Sequence, residues 1–443
     1  MLRMKKILVI QIWLVVCSHG YCQTWMPLGS GVSWEGGAIS STVLGILGDT
    51  VNNVLYVDGH FDTAGNVPAL QCANWNGVTW SDMSISDDAV GQFLTFNGEL
   101  YNAGEQVYRW NGSDWDMVDP YFDDLLGYLI EYDGRLLAGG TFTHAGAFSA
   151  KGLAFLGNND HWHPFPGGGV TNYGAYSGGA YIGAMAIYNG DLIVAGKFDS
   201  AGGVLCNNIA RWDGSQWHSL DSGTSGPCMG CETVFALGVY NGFLYASGSF
   251  YYAGGTYCFG FAKWDGNQWY AVDTNLNFWP RSFKNYNGLL YTGGVSPSGA
   301  DVRTFDGLTW SDIGISTGSV NSIEILDNRL YAGGSFVIYT PTDTIHNIAM
   351  LDIATGEWKP LLLDEPWDAF PNPISSYMKI TYTIHQPATL TITNAFGIAV
   401  KQLTLYPYFK NRIVYVDDLA EGIYLVTMRE GDRVSSKKMA VER

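Results

Sequence analysis

The stretch YNGDLIVAGKFDSAGGVLCNNIARWDGSQWHSL, residues Tyr188 to Leu220, decides the fold. Tyr188-Asn189-Gly190-Asp191 sets Asn-Gly between two apolar runs. A type I′ hairpin turn needs positive φ at both central residues, and Asn and Gly adopt it at least cost. Arg211-Trp212-Asp213-Gly214-Ser215-Gln216-Trp217 repeats the device with Asp-Gly. A two-residue loop there sets Trp212 opposite Ser215 and Ala210 opposite Trp217, whereas a four-residue loop pairs the two Trp directly. Side chains alternate with period two along a strand, so both indoles fall on one face in either case. The unit reads as a small antiparallel sheet.

Worn copies of this unit run from about residue 38 to about residue 362. Hairpin signals recur at Phe96-Asn-Gly-Glu-Leu100, Tyr132-Asp-Gly-Arg-Leu136, Tyr240-Asn-Gly-Phe-Leu244 and Tyr286-Asn-Gly-Leu-Leu290. The closing Trp of each copy falls at 80, 115, 162, 217, 269, 310 and 358, a period of 35 to 55 residues. Seven periods of four short strands predict an all-β chain built on a seven-bladed β-propeller. Trp25-Met-Pro-Leu28 reads like the last strand of a unit with no unit before it, as a ring uses to close on its last blade. Trp358-Lys-Pro-Leu361 competes for that place. Each Trp removes ~150–250 Å² from water when buried, and seven matched placements indicate packing between blades.

A Gly-Gly pair ends the second strand of several units (Gly139-Gly140, Gly293-Gly294, Gly333-Gly334), ahead of an aromatic-Asp…Trp pair. In this the chain resembles the kelch-like propellers over roughly residues 37 to 362. The resemblance implies architecture far more than activity, because propellers host unrelated functions.

Composition sets the compartment. Met1-Leu-Arg-Met-Lys-Lys6 is basic, Ile7 to Val16 is apolar, and small residues precede Gln23, so residues 1–22 read as a cleaved secretory signal. No other segment is long and apolar enough for a transmembrane helix. Residues 23–365, the expected kelch-like propeller, carry eleven Lys/Arg against thirty-four Asp/Glu, a net of −23. Such a surface excludes nucleic acid and anionic lipid as natural partners. Cys228-Met-Gly-Cys231 lies in a Gly/Pro/Ser loop and is expected to form a local disulfide in an oxidising compartment. Cys206 and Cys258 each precede a repeat Trp by six residues and read as small buried groups.

After Pro360 the pattern stops. Residues 366–443 carry alternating strands without the Trp repeat, which predict a small antiparallel β-sandwich following the propeller. This segment opens with Pro371-Asn372-Pro373 and carries a turn at Gly397. It then contains Leu419-Ala-Glu-Gly422-Ile-Tyr424 and ends on a strand with Lys437-Lys438. In that combination and order it closely resembles the C-terminal sorting domain of the type IX secretion (Por secretion) pathway. The resemblance implies recognition by that secretion machinery. It also implies delivery to the outside or to the outer-membrane surface of a Gram-negative bacterium.

The widest irregular insert of the propeller, residues 158 to 182, is the candidate binding loop. His161 and His163 share a strand face, and Tyr173 and Tyr176 follow amid glycines. No cofactor or metal is expected, and no nucleophile elbow, zincin or phosphate-loop pattern occurs. Asp62-Thr-Ala, Asp199-Ser-Ala, Asp49-Thr-Val and Asp343-Thr-Ile match short O-glycosylation acceptors of bacteria that use this export route. The function expected is a non-catalytic binding or adhesion propeller that meets an extracellular glycan or protein. The alternative is a secreted carbohydrate-active enzyme with its site in the channel-mouth loops.

Overall fold

The computed structural model describes residues 25–34, 41–85, 91–119, 121–172, 179–226, 232–272, 277–297, 299–339, 344–353, 367–370, 377–382, 384, 386–394, 399–407, 411–416, 419–431 and 433–441. The expected signal peptide, Tyr173, Tyr176, Pro371, Asn372, Pro373, Gly397, Cys228 and Cys231 lie outside them. Among the described residues no helix is long and apolar enough to cross a membrane.

The repeat unit folds as its spelling requires. In the fourth unit Tyr181–Tyr188 pairs with Asp191–Lys197, that strand with Ile209–Trp212, and the latter with Trp217–Ser219, all antiparallel. Asn189 and Gly190 have φ of +54° and +89°, the pair of left-handed residues a type I′ turn demands. The second turn has four residues and sets Trp212 directly opposite Trp217, ring centroids 5.4 Å apart. The Asp213 carboxylate closes that turn by accepting from the Ser215 and Gln216 N–H groups. Asn76, Asn111, Asp265 and Asp306 do the same in other units.

Five such four-stranded sheets stand alone, and two more are fused in one seven-stranded sheet. The fusion runs through a single 17-residue strand, Trp310–Leu326. Its first part is the outermost strand of the sixth blade, and its second part is the innermost strand of the seventh. The innermost strands are Thr42–Asp49, Gln92–Phe96, Leu126–Tyr132, Tyr181–Tyr188, Thr233–Tyr240, Trp279–Tyr286 and the second part of Trp310–Leu326. Each touches the next, and the seventh returns to the first, so these strands close a ring around a channel.

Closure is made by the N-terminal strand. Met26–Pro27 pairs with Met350 and Ala349 and supplies the outermost strand of the seventh blade. Trp358-Lys-Pro-Leu361, its sequence competitor, lies outside the described residues.

The repeat Trp residues latch neighbouring blades. The indole N–H of Trp80 donates to Leu28 O, Trp115 to Met83 O, Trp162 to Val118 O, Trp217 to Gly167 O and Trp269 to Leu220 O, at 2.8 to 3.3 Å. Each bond crosses to the outermost strand of the preceding blade or the residues just past it. Trp25 takes the same role for the seventh blade, donating to Ile313 O at 3.1 Å. Near the inner turns Tyr188 and Tyr240 donate to Gly242 O and Gly288 O of the following blade, a second set of latches.

The four-strand reading missed a set of small sheets. In the first, third, fourth and fifth blades the link between second and third strands forms a two-residue-stranded hairpin. The incoming chain pairs with it through Val32–Ser33, Val170–Thr171 and Thr224–Ser225 in the first, fourth and fifth blades, and through a single bridge from Phe122 to Ala145 in the third. These hairpins lie on the face opposite the Asn-Gly turns.

The three described cysteines are free and buried, as the sequence led one to expect for Cys206 and Cys258. Burial pushes the Cys206 thiol up to about 12 and the Cys258 thiol up to about 11. The Cys72 thiol is raised well above its ordinary value by burial and by the charges of Asp58 and Asp82. The reactive thiolate is therefore suppressed at all three. An aromatic disulfide reagent at pH 8 should label three more thiols per chain in denaturant than in buffer. A smaller difference would show that one of these sites opens in the native state.

The C-terminal residues form two sheets, one of Trp367–Phe370, Tyr377–Tyr382 and Asn411–Tyr415, the other of Ala388–Thr393, Ala399–Leu405, Gly422–Glu430 and Arg433–Val441. A common core joins them, including Trp367, Met378, Leu390, Tyr424 and Met439.

Candidate functional site: an aromatic cleft between the fifth and sixth blades

Inner strands carry a bulge near their starts in six of the seven blades, seen as a register shift around Leu44, Gly127, Gly183, Phe235, Arg281 and Asn321. A bulge re-aims one side chain out of the ladder. In the fifth and sixth blades the re-aimed residues are Phe235 and Arg281, both exposed, and together they line a cleft of about 370 Å³. That volume is within the usual range for a small-ligand pocket. Tyr251, Phe259, Trp279 and Pro280 supply most of the remaining wall.

The aromatic lining is specific to this blade. The residue leading into the third strand is left-handed in several units, at Gln71, Lys151, Asn208 and Phe259. Only in the fifth blade is it a bulky aromatic, with φ of +47°, where a side chain of that size is strained. The strain is held by the Cys258 and Phe259 N–H groups, both donating to Tyr251 O. Gly260 follows, and a Cβ there would meet the Trp279 indole at 2.8 Å. Phe259 is thereby set against Trp279, centroids 5.8 Å apart, and against Tyr251 at 5.5 Å.

The small hairpin extends the row outward. Tyr252 and Tyr257 pair across it, where the first, third and fourth blades have Thr63 and Pro68, His144 and Ser149, and Ser200 and Leu205. Tyr257 contacts Tyr252 at 5.5 Å and Tyr251 at 6.4 Å. Phe235 and Tyr257 are each 48% exposed and Tyr252 is 41% exposed. A contiguous aromatic surface left open to water at a cleft marks an interaction site more strongly than scattered apolar residues do. The sequence signal was present in Phe250-Tyr-Tyr-Ala-Gly-Gly-Thr-Tyr-Cys-Phe259, but Trp periodicity drew attention to the buried rings instead.

Arg281 donates to Asn321 Oδ1 at 2.7 Å, and Asn321 in turn donates to Val43 O at 3.0 Å. No Asp, Glu, His or Cys is among the residues lining the cleft.

The histidines singled out from the sequence sit elsewhere. His161 and His163 flank Trp162 on or beside the outermost strand of the third blade, at the rim of the wheel and away from its axis. His161 Nδ1 lies 3.0 Å from Asp119 Oδ1. His163 instead faces Asn159 and packs on Phe148 and Phe155. Their rings face different side chains, although the His161 backbone N–H also donates to Asn159 Oδ1 at 3.4 Å, and no group of three His, Cys, Asp or Glu able to hold a metal occurs among the described residues. Of the acceptor triplets, Ser200 is buried and bonded to Thr171, whereas Thr50 is exposed in a turn.

Those of the expected sorting-signal residues that are described have local structural roles. Gly422 opens its strand opposite Val441, and the Tyr424 hydroxyl turns back to donate to Ala420 O at 2.8 Å. That corner explains the Leu-x-x-Gly-x-Tyr spacing, with Leu419 and Tyr424 buried together in the core. The Lys437 ammonium lies over the Trp367 ring at 5.5 Å. Lys438 pairs through its backbone with Leu425.

Residues 368–442 match the family described as the secretion system C-terminal sorting domain. No curated protein matches the chain. Among solved structures it is similar to the WD40 beta propeller domain of Doa1, with 12% identity over 74% of this chain and 97% of that one, at a TM-score of 0.44. BamB from Moraxella catarrhalis gives 9% identity, 74% and 92% coverage and a TM-score of 0.34. A gluconolactonase from Xanthomonas campestris gives 14%, 75%, 89% and 0.37. At such identities and TM-scores these likenesses carry no functional weight, and the propeller rests on the sheet order and ring closure described above. The chain is thus an all-β propeller protein ending in a secretion system C-terminal sorting domain, which marks it for type IX export to the cell surface or the medium.

Proposed function

We propose that residues 23–365 form a kelch-like binding module, displayed or released outside the cell, that holds an extracellular ligand in the cleft between its fifth and sixth blades. Residues 366–443 are the detachable export unit. The observation that carries the reading is the row Tyr252, Tyr257, Tyr251, Phe259 and Trp279, contiguous and partly exposed, where the hairpins of the first, third and fourth blades carry no Phe, Tyr or Trp at the positions of Tyr252 and Tyr257. A hydrolytic site of the alternative kind calls for two carboxyl groups flanking the scissile bond, and the cleft lining offers aromatic surface and the Arg281 guanidinium in their place.

The mature full-length chain should bind a subset of ligands on a combined glycan and protein array. The double variant Tyr252→Ala, Tyr257→Ala should lose at least about tenfold in affinity for them, since each aromatic face at a binding centre contributes on the order of 1–3 kcal/mol. Hits that bind the double variant as tightly as the parent would place the ligand elsewhere and end the assignment of this cleft.

A further inference from the structure

The next step rests on the cleft being the binding site and concerns the chemistry it selects. The propeller is short of cations, and several described ones are spent on its own acids or rings. Arg109 meets Glu99 and Asp160, Arg211 meets Asp191, Lys284 meets Glu324, and Arg303 meets Asp301 and Asp312. Lys263 lies over Phe243 and Arg135 over Phe155. Arg281 differs. Among the described residues it pairs with no carboxylate, although the segment carries a threefold excess of acids. Its bond runs to the neutral amide oxygen of Asn321, which is itself tied to the Val43 carbonyl. Asn321 therefore orients the guanidinium without neutralising it.

A guanidinium presents five N–H donors in a planar fork that fits a carboxylate bidentately. Here the fork stands beside aromatic faces in a cleft of small-ligand size. Aromatic π faces attract the C–H face of a pyranose ring, whose hydrogens carry partial positive charge. A charged acceptor and a flat ring with an apolar face occur together in sugars that carry a carboxylate. We infer that the cleft takes an acidic saccharide, a uronic- or sialic-acid-bearing glycan, with its carboxylate on Arg281 and its ring on the row led by Tyr251 and Trp279. The net charge of −23 over residues 23–365 disfavours long polyanions such as nucleic acid.

Calorimetric titration of the full-length mature protein tests this. The probes are oligogalacturonate, a glucuronate-bearing oligosaccharide and a sialyl oligosaccharide, each beside its carboxyl-reduced neutral counterpart. At least one acidic probe should bind about tenfold or more tightly than its neutral partner. Arg281→Gln should erase that difference by weakening the acidic probe to about the affinity of its neutral counterpart, as loss of one charge-assisted pair predicts. The side chain is exposed, so the variant should fold, which near-ultraviolet circular dichroism verifies. If Arg281→Gln leaves the acid preference intact, or neutral and acidic forms bind alike, the acidic-sugar inference falls while the cleft survives. If neither Arg281→Gln nor the double tyrosine variant alters binding of any probe, the cleft itself falls with it.

Discussion

Trp25→Ala should lower the unfolding free energy of the propeller by about 3–5 kcal/mol, the range for deleting a buried large aromatic, with a matching fall in the denaturant midpoint. Three contributions fail together. The ring of Trp25 is buried among Tyr291, Val302, Leu330 and Ala349. Its indole bond to Ile313 O ties the seventh blade to the sixth. Gly314 lies under it so closely that a Cβ there would sit 2.2 Å from the indole nitrogen, so the ring is packed onto bare backbone. The strand that follows pairs through only Met26 and Pro27, and a two-residue strand depends on its anchor. Trp25→Phe keeps most of the apolar area and loses the N–H bond, for a cost of about 1 kcal/mol. Equal midpoints for Trp25→Ala and the parent would mean that something other than this strand closes the ring.

The second large effect depends on pH. Asp58 is fully buried between the first and second blades and receives Asn102 Nδ2 at 2.7 Å and the Gly91 N–H at 3.3 Å on one oxygen. Its other oxygen has no hydrogen-bond partner. Burial outweighs these bonds and raises the carboxyl to about 7. The unfolded chain releases this proton near pH 4. Between about pH 4 and 7 the folded state therefore binds more protons than the unfolded one, and stability falls as pH rises through that window. Above 7 the penalty is complete, about 4 kcal/mol for a shift of this size. Asp58→Asn preserves shape and removes the titration. Urea midpoints at pH 5 and pH 8 should show the variant gaining on the parent by most of that amount at the higher pH. A parent-to-variant difference that does not change with pH would mean that Asp58 is solvated.

Much of the wheel was legible because its determinants are local. Asn-Gly and Asp-Gly pairs dictate turns whatever surrounds them, and the spacing from turn to Trp fixes which residues share a face. Trp25-Met-Pro-Leu28 stood out for the same reason, as a fragment of the unit standing alone, but its claim to close the ring against Trp358-Lys-Pro-Leu361 stayed open until the pairing with Met350 and Ala349. Other features depend on packing between blades and left no periodic trace. The small crossing hairpins arise from two-residue pairings too short to alternate. The fused strand Trp310–Leu326 joins what the repeat separates. The cleft proposed as the binding site differs from the loop expected at residues 158–182, because length of insert guided the sequence reading. His161 and His163 belong to an outermost strand, where their spacing serves Trp162, while the open cleft lies where a short hairpin happens to carry rings. In the tail the motif spacing had a direct physical reading, the Tyr424 hydroxyl folding back on Ala420.

The pairing of residues 26–27 with residues 349–350 also sets a timetable. A chain delivered from its N-terminus presents one half of the clasp first and must wait for more than three hundred residues before the other half arrives. Until then the early blades stay an open arc whose last latch is missing. The matched sorting sequence begins at residue 368, shortly after the clasp can shut. A cargo that carries this address has therefore already passed the residues that shut the clasp, and a chain truncated before residue 349 has neither the closing partner nor the label.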